Sequence, residues 1–86
     1  MKEYRWSPLK NERLKKTRGT SFEEVLQAEL IKTKKHPSKE HQSVMLFMYR
    51  GQIWVVPYVE THGEVFLKTL YPSRKYTRRY KRGEVL

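Results

Sequence analysis

The segment KTLYPSRKYTRRYKR, residues 68–82, contains the side chains best suited to chemistry. Seven of them are basic and none is acidic. If the residues after Ser73 form a helix, then Arg74, Arg78 and Arg82 fall four residues apart and share one face. Each guanidinium group is a planar fork that donates two hydrogen bonds to two oxygens of a phosphate. The spacing therefore predicts a surface that binds phosphate groups.

Tyrosine rings lie between these basic residues. Tyr76 and Tyr80 form a second ridge on the predicted helix, and an unpaired base stacked on such a ring is worth about 1–3 kcal/mol. Basic groups interleaved with rings favour RNA or single strands over simple phosphate neutralisation. Lys68, on the preceding predicted strand, comes to the same neighbourhood. The alternative is a solvated basic helix that its tyrosines hold against the sheet.

The composition of the whole chain supports a negatively charged partner. The 86 residues include 19 Lys and Arg against nine acids, which gives a formal charge of +10. A chain of this length accommodates one domain, residues 1–86. It has no cysteine and hence no disulfide, and no apolar run resembles a membrane span or a leader. We therefore expect a cytoplasmic domain with no membrane partner.

The histidines and acids do not predict a metal site. His36 and His41 are separated by a proline-containing loop, and His62 falls in a turn, so we expect all three at the surface. The adjacent acids Glu23 and Glu24 are explained by helix capping and the helix dipole. The sequence therefore predicts no metal and no cofactor.

The elements that position the basic segment follow the order β-α-α-β-β-β-α. They are a strand at Glu3–Trp6, a helix from Pro8 to a stop at Gly19, a second helix that begins after a capping box at Ser21 and carries an apolar stripe from Phe22 to Leu30, a basic loop at Lys32–Gln42, strands at Val44–Tyr49, Ile53–Glu60 and Val65–Tyr71, and a helix at Arg74–Arg82. Pro57 predicts a bulge or an edge stretch within its strand. The order predicts an α+β fold with a small antiparallel sheet of three to four strands. Two N-terminal helices cover one face, and a short basic helix follows at the C-terminal end.

Two regions of the sequence resemble the BrnT family, the ribonuclease toxins of type II toxin–antitoxin systems. Residues 4–11 read Tyr-Arg-Trp-Ser-Pro-Leu-Lys-Asn, and residues 18–25 read Arg-Gly-Thr-Ser-Phe-Glu-Glu-Val, with Leu14-Lys15-Lys16 between them. Residues 66–80 are similar to the strand and basic tail of a BrnT-like branch. Arg18 departs from the family, since many BrnT-like sequences have a histidine there. The residues between Pro72 and Arg74 depart from the more typical Ala-Arg arrangement.

The resemblance implies a RelE-like fold and metal-independent RNA cleavage, in which the 2′-hydroxyl attacks the adjacent phosphate. It also implies a DNA-binding antitoxin that covers the basic cleft and forms a hetero-oligomer with the chain. We predict three catalytic residues: Lys68, Arg74 and Arg78. We predict five RNA-binding residues: Lys75, Arg79, Tyr76, Tyr80 and Arg82. Candidates for proton transfer are Lys68, Tyr76, Tyr80, Glu60, Glu64 and His62.

Two other functions fit the same residues. One is a non-catalytic RNA-binding or ribosome-associated module that uses the same basic surface. The other is a scaffold whose basic face docks an acidic protein.

Overall fold

The computed structural model describes residues 2–86 and contains six strands and three helices among them. The strands are β1 (Glu3–Arg5), β2 (Glu29–Lys35), β3 (Ser43–Tyr49), β4 (Gln52–Thr61), β5 (Glu64–Leu67) and β6 (Tyr71–Ser73), and the helices are α1 (Pro8–Arg18), α2 (Phe22–Leu26) and α3 (Arg74–Lys81). The α+β class and the basic C-terminal helix are therefore confirmed. The prediction of three to four strands was wrong.

All six strands belong to one mixed sheet with the order β1-β5-β4-β3-β2, and β6 pairs with β4. The pairings among β2, β3, β4, β5 and β6 are antiparallel, as the short turns between most of them require. The prediction of a purely antiparallel sheet was wrong, because β1 runs parallel to β5, with Tyr4 opposite Val65. The connection from β1 to β5 includes α1 and α2. It is therefore long enough to bring β5 beside β1 in the same direction.

Each face of the sheet carries its own hydrophobic cluster. The face covered by α1 and α2, here called the α1–α2 face, includes the buried residues Leu14, Phe22, Val25, Met45, Phe47, Trp54, Val56, Tyr58, Val65, Leu67 and Leu70. The opposite face, here called the α3 face, includes Val44, Leu46, Ile53, Val55 and Leu86, with Tyr76 of α3 packed against them. Alternate residues of β3 and β4 supply the two clusters, as the two-residue period of a strand requires.

The two N-terminal helices meet at a hydrogen-bonded corner. Ser7 caps α1 by accepting from the Lys10 N–H at 3.2 Å, and α1 is followed by Gly19 at φ 70, a conformation that favours glycine. Asn11, buried in α1, accepts from the backbone N–H of Phe22 at 2.9 Å through Oδ1. Its Nδ2 donates to Glu23 at 2.6 Å. One side chain in the first turn of α1 thus fixes that helix to the start of α2.

The second helix is shorter than its sequence pattern predicted. The apolar spacing that starts at Phe22 continues to Leu30, but the helix ends at Leu26 and the residues from Glu29 form β2. A shift of register between Leu30 and Lys32 interrupts the alternation of β2, so that its residues do not show a strand period. Residues Lys32–Lys35, predicted as part of a loop, belong to this edge strand. The missing alternation explains why the sequence did not indicate it.

The strand predicted at Val65–Tyr71 is divided into β5 and β6. Both parts pair with β4, but residues 68–70 between them do not belong to either strand. Pro57 lies at this gap, and its carbonyl accepts from the Lys68 N–H at 2.8 Å. The nitrogen and the carbonyl of one strand residue point to the same side of the strand, so the proline nitrogen also faces this gap. Because the regular hydrogen-bond ladder is interrupted there, the missing N–H of the proline leaves no ladder hydrogen bond unmade. The predicted edge stretch therefore occurs on one side of Pro57.

Candidate nucleic-acid interface

Helix α3 is fixed to the sheet by hydroxyl groups in its first turn. The Ser73 side chain caps the helix by accepting from the backbone N–H of Tyr76 at 3.1 Å. Thr77 Oγ1 accepts from the backbone N–H of Ile53 at 2.8 Å and donates to the Ser73 carbonyl at 2.6 Å. These bonds hold the N-terminal half of α3 beside the start of β4.

An open cleft of about 360 Å³ lies along this contact, and we call it the α3 cleft. Arg74, Arg78 and Lys81 line it from α3, where their spacing of four and then three residues places them on one face. Gln52 of β4 and Thr77 complete the lining. The two arginines predicted as catalytic are therefore brought together.

The cations of the α3 cleft have no carboxylate partner within residues 2–86. The ion pairs in this part of the chain join Lys2, Arg5, Lys15, Arg50, Arg79 and Arg82 to acids. Arg74, Arg78 and Lys81 take part in none of them. Three positive groups in one cleft repel one another unless an anion binds between them. The geometry therefore suits an anion with several oxygens, such as a phosphate.

Two predicted RNA-binding arginines are engaged elsewhere. Arg79 lies 3.6 Å from a Glu84 carboxylate oxygen and donates to the Val85 carbonyl. Arg82 is the C-cap of α3 and lies 3.8 Å from the same Glu84. Arg82 therefore does not line the α3 cleft, although the four-residue spacing predicted that it would share the face of Arg74 and Arg78.

The two predicted tyrosine platforms differ in accessibility. The Tyr76 ring packs against the α3-face cluster, and the Lys34 ammonium lies 5.1 Å from its centre. The Tyr76 ring is therefore half-buried and in contact with the rest of the protein. Tyr80 is 37% exposed and Lys75 is exposed, but neither lines the α3 cleft.

Lys68 lies outside the α3 cleft. Its side chain is exposed, and its Nζ lies 5.6 Å from the centre of the Phe66 ring. Residues 66 and 68 are two positions apart and share one face of an extended chain, which agrees with this contact. The structure does not bring Lys68 into the lining that Arg74 and Arg78 share.

The other candidates for proton transfer lie at the far end of β4. Glu60 pairs with Lys2 at 2.8 Å, and Glu64 pairs with Arg5 at 3.2 Å. His62 occupies the exposed turn between β4 and β5, with φ 46. Since α3 contacts the opposite end of β4, none of the three lines the α3 cleft.

Three residues of the α3 cleft were missed by sequence reasoning: Gln52, Thr77 and Lys81. Lys81 lies seven residues after Arg74, and that spacing was a usable signal for the same helical face. Gln52 follows the turn at Arg50-Gly51 and gives no such signal, because only the pairing of β4 with β6 brings it near α3.

A second polar cluster lies where α2 meets the end of β3. Glu24 accepts hydrogen bonds from Thr20 at 2.7 Å and from Tyr49 at 3.1 Å, and Arg50 lies 3.8 Å away. The hydrogen bond from Thr20, followed by that from Tyr49, holds the pKa of Glu24 below its ordinary value. The Ser21 side chain caps α2 by accepting from the Glu24 N–H at 3.3 Å. This cluster ties α2 to the sheet.

The described residues show neither a metal cluster nor a membrane helix. Within residues 2–86, no three His, Cys, Asp or Glu side chains are grouped so that they could hold a metal ion. His36 instead accepts from the backbone N–H groups of Ser38 and Lys39 at 3.1 and 3.2 Å. None of the three helices is long and apolar enough to cross a membrane.

A mixed sheet with two N-terminal helices on one face and a basic helix on the other defines a BrnT-like α+β fold. The structure is similar to the crystal structure of the Brucella abortus ribonuclease toxin BrnT, with a TM-score of 0.57 and 15% sequence identity. The similarity covers 85% of this chain and 97% of that chain. No family model and no curated protein sequence matches this chain. The resemblance found in the sequence is therefore confirmed for the fold.

Proposed function

We propose that this chain is an endoribonuclease toxin of a type II toxin–antitoxin module, and that its α3 cleft binds the RNA backbone. The observation that carries the proposal is the alignment of Arg74, Arg78 and Lys81 in one cleft without a carboxylate partner among residues 2–86. The fold supports it, because the solved structure that this chain resembles is a ribonuclease toxin. The net charge of +10 also favours a polyanionic substrate.

In the proposed reaction the RNA supplies the nucleophile. The 2′-hydroxyl oxygen forms a bond to the adjacent phosphorus, and the bond from phosphorus to the 5′ oxygen breaks. The 2′-hydroxyl gives its proton to solvent water and the 5′ oxygen gains one from the cleft, so the products are a 2′,3′-cyclic phosphate and a 5′-hydroxyl. The transition state carries additional negative charge on the phosphate oxygens. Arg74 and Arg78 stabilise that charge by donating hydrogen bonds from fixed positions on α3.

Lys81 is the side chain of the α3 cleft best suited to donate a proton. Its ammonium group can protonate the leaving 5′ oxygen while Arg74 and Arg78 hold the phosphate. The catalytic role predicted for Lys68 stays a prediction, since that residue lies beside Phe66 and outside the cleft. The lining of Arg, Lys, Gln and Thr offers no carboxylate ligand to a divalent cation. We therefore propose cleavage that does not need a metal.

The proposed partner is an antitoxin that covers the α3 cleft. An acidic segment placed against Arg74, Arg78 and Lys81 would supply the counter-charges that residues 2–86 do not provide. The resulting assembly would be a hetero-oligomer in which RNA and antitoxin compete for the same cations.

A non-catalytic RNA-binding module is the second candidate function. It is favoured by one observation: the α3 cleft contains neither a histidine nor a carboxylate to accept the 2′-hydroxyl proton. In that function the same three cations would bind RNA without breaking it.

The two functions are separated by comparing arginines at different places on the molecule. Arg74→Ala and Arg78→Ala remove a cation from the α3 cleft, whereas Arg13→Ala removes an exposed cation of α1, on the opposite layer. All three variants change the net charge equally. Purified proteins are incubated with single-stranded RNA, with and without a chelator, and the products are tested for 2′,3′-cyclic phosphate.

For the toxin, we expect each cleft variant to lose about 10²–10³-fold in cleavage rate, as when one charge-stabilising donor is removed. Arg13→Ala should cleave like the parent, and the chelator should have no effect. Induction of the chain alone should arrest growth, and its neighbouring open reading frame should relieve the arrest. A parent that binds RNA without cutting it would establish the binding module instead. Cleavage by both cleft variants at the parental rate would refute the site.

A further inference from the structure

Phe66 is an exposed aromatic residue on the face of the sheet that α3 only partly covers. It is 41% exposed and lies opposite Val59 in the ladder of β4 and β5. Val59 shares its face of β4 with Ile53 and Val55, which belong to the α3-face cluster. Phe66 therefore presents its ring on the α3 face, beyond the end of the sheet that α3 occupies.

One unneutralised cation lies over the Phe66 ring. Lys68 Nζ lies 5.6 Å from the ring centre, and no carboxylate within residues 2–86 forms an ion pair with it. Arg5, opposite Phe66 in the register with β1, is held by Glu3 and Glu64, both at 3.2 Å. The free positive charge at this end of the α3 face is thus that of Lys68.

The position of the Lys68 backbone is set by the sheet. Its N–H donates to the Pro57 carbonyl at 2.8 Å, which fixes the chain where it leaves β5. An aromatic ring and the ammonium group that lies over it match the two chemical groups of a nucleotide. An unpaired base stacks on an aromatic face, and a phosphate pairs with an ammonium group.

We propose that Phe66 and Lys68 form a second RNA subsite, in which the ring stacks on an unpaired base and the ammonium binds an adjacent phosphate. This inference rests on the proposed function and names its substrate class: single-stranded RNA, since a paired base cannot offer its face to Phe66. Six residues of β4 separate Ile53, beside the α3 cleft, from Val59, beside Phe66, a distance of about 20 Å. An extended strand running along the α3 face reaches both places. The competing explanation is that Lys68 covers an exposed ring by a cation–π contact alone.

The subsite is tested by removing the ring and, separately, the base. Phe66→Ala and Phe66→Leu abolish the aromatic face, and Phe66→Trp retains it. Leu30→Ala is the matched control, because Leu30 is 50% exposed on the opposite face of the sheet. Binding is measured for oligouridine of about 12 nucleotides and for an abasic ribose-phosphate oligomer of the same length. Urea unfolding of each variant establishes that it is folded.

For oligouridine, we expect Phe66→Ala and Phe66→Leu to raise Kd by about 5- to 150-fold, the range for loss of one stacked base. Phe66→Trp and Leu30→Ala should bind like the parent, and emission from the new tryptophan should be quenched. The abasic oligomer should bind the parent and Phe66→Ala equally. Lys68→Gln should reduce the slope of log Kobs against log salt by about 0.7, the value for one phosphate contact on a single strand.

The failures of the subsite and of the proposed function give different results. A parent that binds oligouridine tightly, with Phe66→Ala indistinguishable from it, overturns the subsite and leaves the α3 cleft intact. An equal penalty for Phe66→Ala on the base-bearing and abasic oligomers also overturns it, since the ring would then not act through a base. A parent that binds no RNA overturns both.

Discussion

Replacement of Asn11 by alanine is expected to remove much of the stability of the fold. The substitution leaves the buried N–H of Phe22 without its 2.9 Å acceptor, which costs about 1–3 kcal/mol. It also removes the 2.6 Å bond to Glu23, whose exposed carboxylate can bind water instead, so this loss is about 1 kcal/mol. The total is about 2–4 kcal/mol. A chain of this size has a total free energy of unfolding of roughly 4–13 kcal/mol.

The loss can be measured by urea unfolding, followed by far-ultraviolet circular dichroism and by tryptophan fluorescence. Trp6 reports on this corner directly, because its ring centre lies 5.5 Å from that of Phe22. We expect a lower midpoint with an unchanged m value, and a fall in Tm of roughly 10–30 °C. Glu23→Ala removes only the second bond and should cost less than Asn11→Ala.

Lys16→Ala provides the control, since Lys16 is exposed on the same helix and alanine is at least as good a helix former as lysine. Its effect should stay within about 0.5 kcal/mol. If Asn11→Ala costs no more than Lys16→Ala, the hydrogen bond to the Phe22 N–H does not stabilise the corner. If Glu23→Ala costs as much as Asn11→Ala, the bond to Glu23 supplies the whole effect, and the larger share of the free energy assigned to the Phe22 N–H bond is wrong.

Two further predictions concern Glu24 and Thr77. Because hydrogen bonds from Thr20 and Tyr49 lower the pKa of folded Glu24, its ionised form stabilises the fold above the ordinary value of 4.5, and this contribution is lost as the pH falls through the lowered pKa. Urea midpoints of Glu24→Gln should therefore fall less steeply than those of the parent below about pH 4.5, and identical pH profiles would contradict this. Thr77→Val leaves the Ile53 N–H without its 2.8 Å acceptor and should cost about 1–3 kcal/mol by the same urea measurement. Thr77→Ser keeps the hydroxyl, so a serine variant as unstable as the valine variant would refute that reason.

Local signals predicted the helix starts and the basic helix correctly. Ser7, Ser21 and Ser73 all act as N-caps, and each accepts the backbone hydrogen bond that its position requires. These features depend on residues three or four apart, so a sequence can reveal them. The face shared by Arg74 and Arg78 was predictable for the same reason.

The missed features depend on contacts between distant residues. Lys32–Lys35 is polar because β2 is an edge strand, and its irregular register hides the alternation that marks a strand. The entry of Gln52 into the α3 cleft requires β6 to pair beside β4. The separation of Lys68 from the cleft follows from the break at Pro57, where β5 ends and the chain turns before β6. No local pattern in the sequence specifies these pairings.

The parallel pairing of β1 with β5 has a consequence for the order in which the molecule is assembled. The hairpins β3–β4 and β4–β5 join neighbouring residues and close at little entropic cost, whereas Tyr4 and Val65 are separated by most of the chain. Strand β1 is therefore made well before its partner and cannot pair until β5 has been made. The α3 cleft also requires residues made after β5. The sheet edge at β1 and the cationic cleft thus both depend on residues from β5 onward.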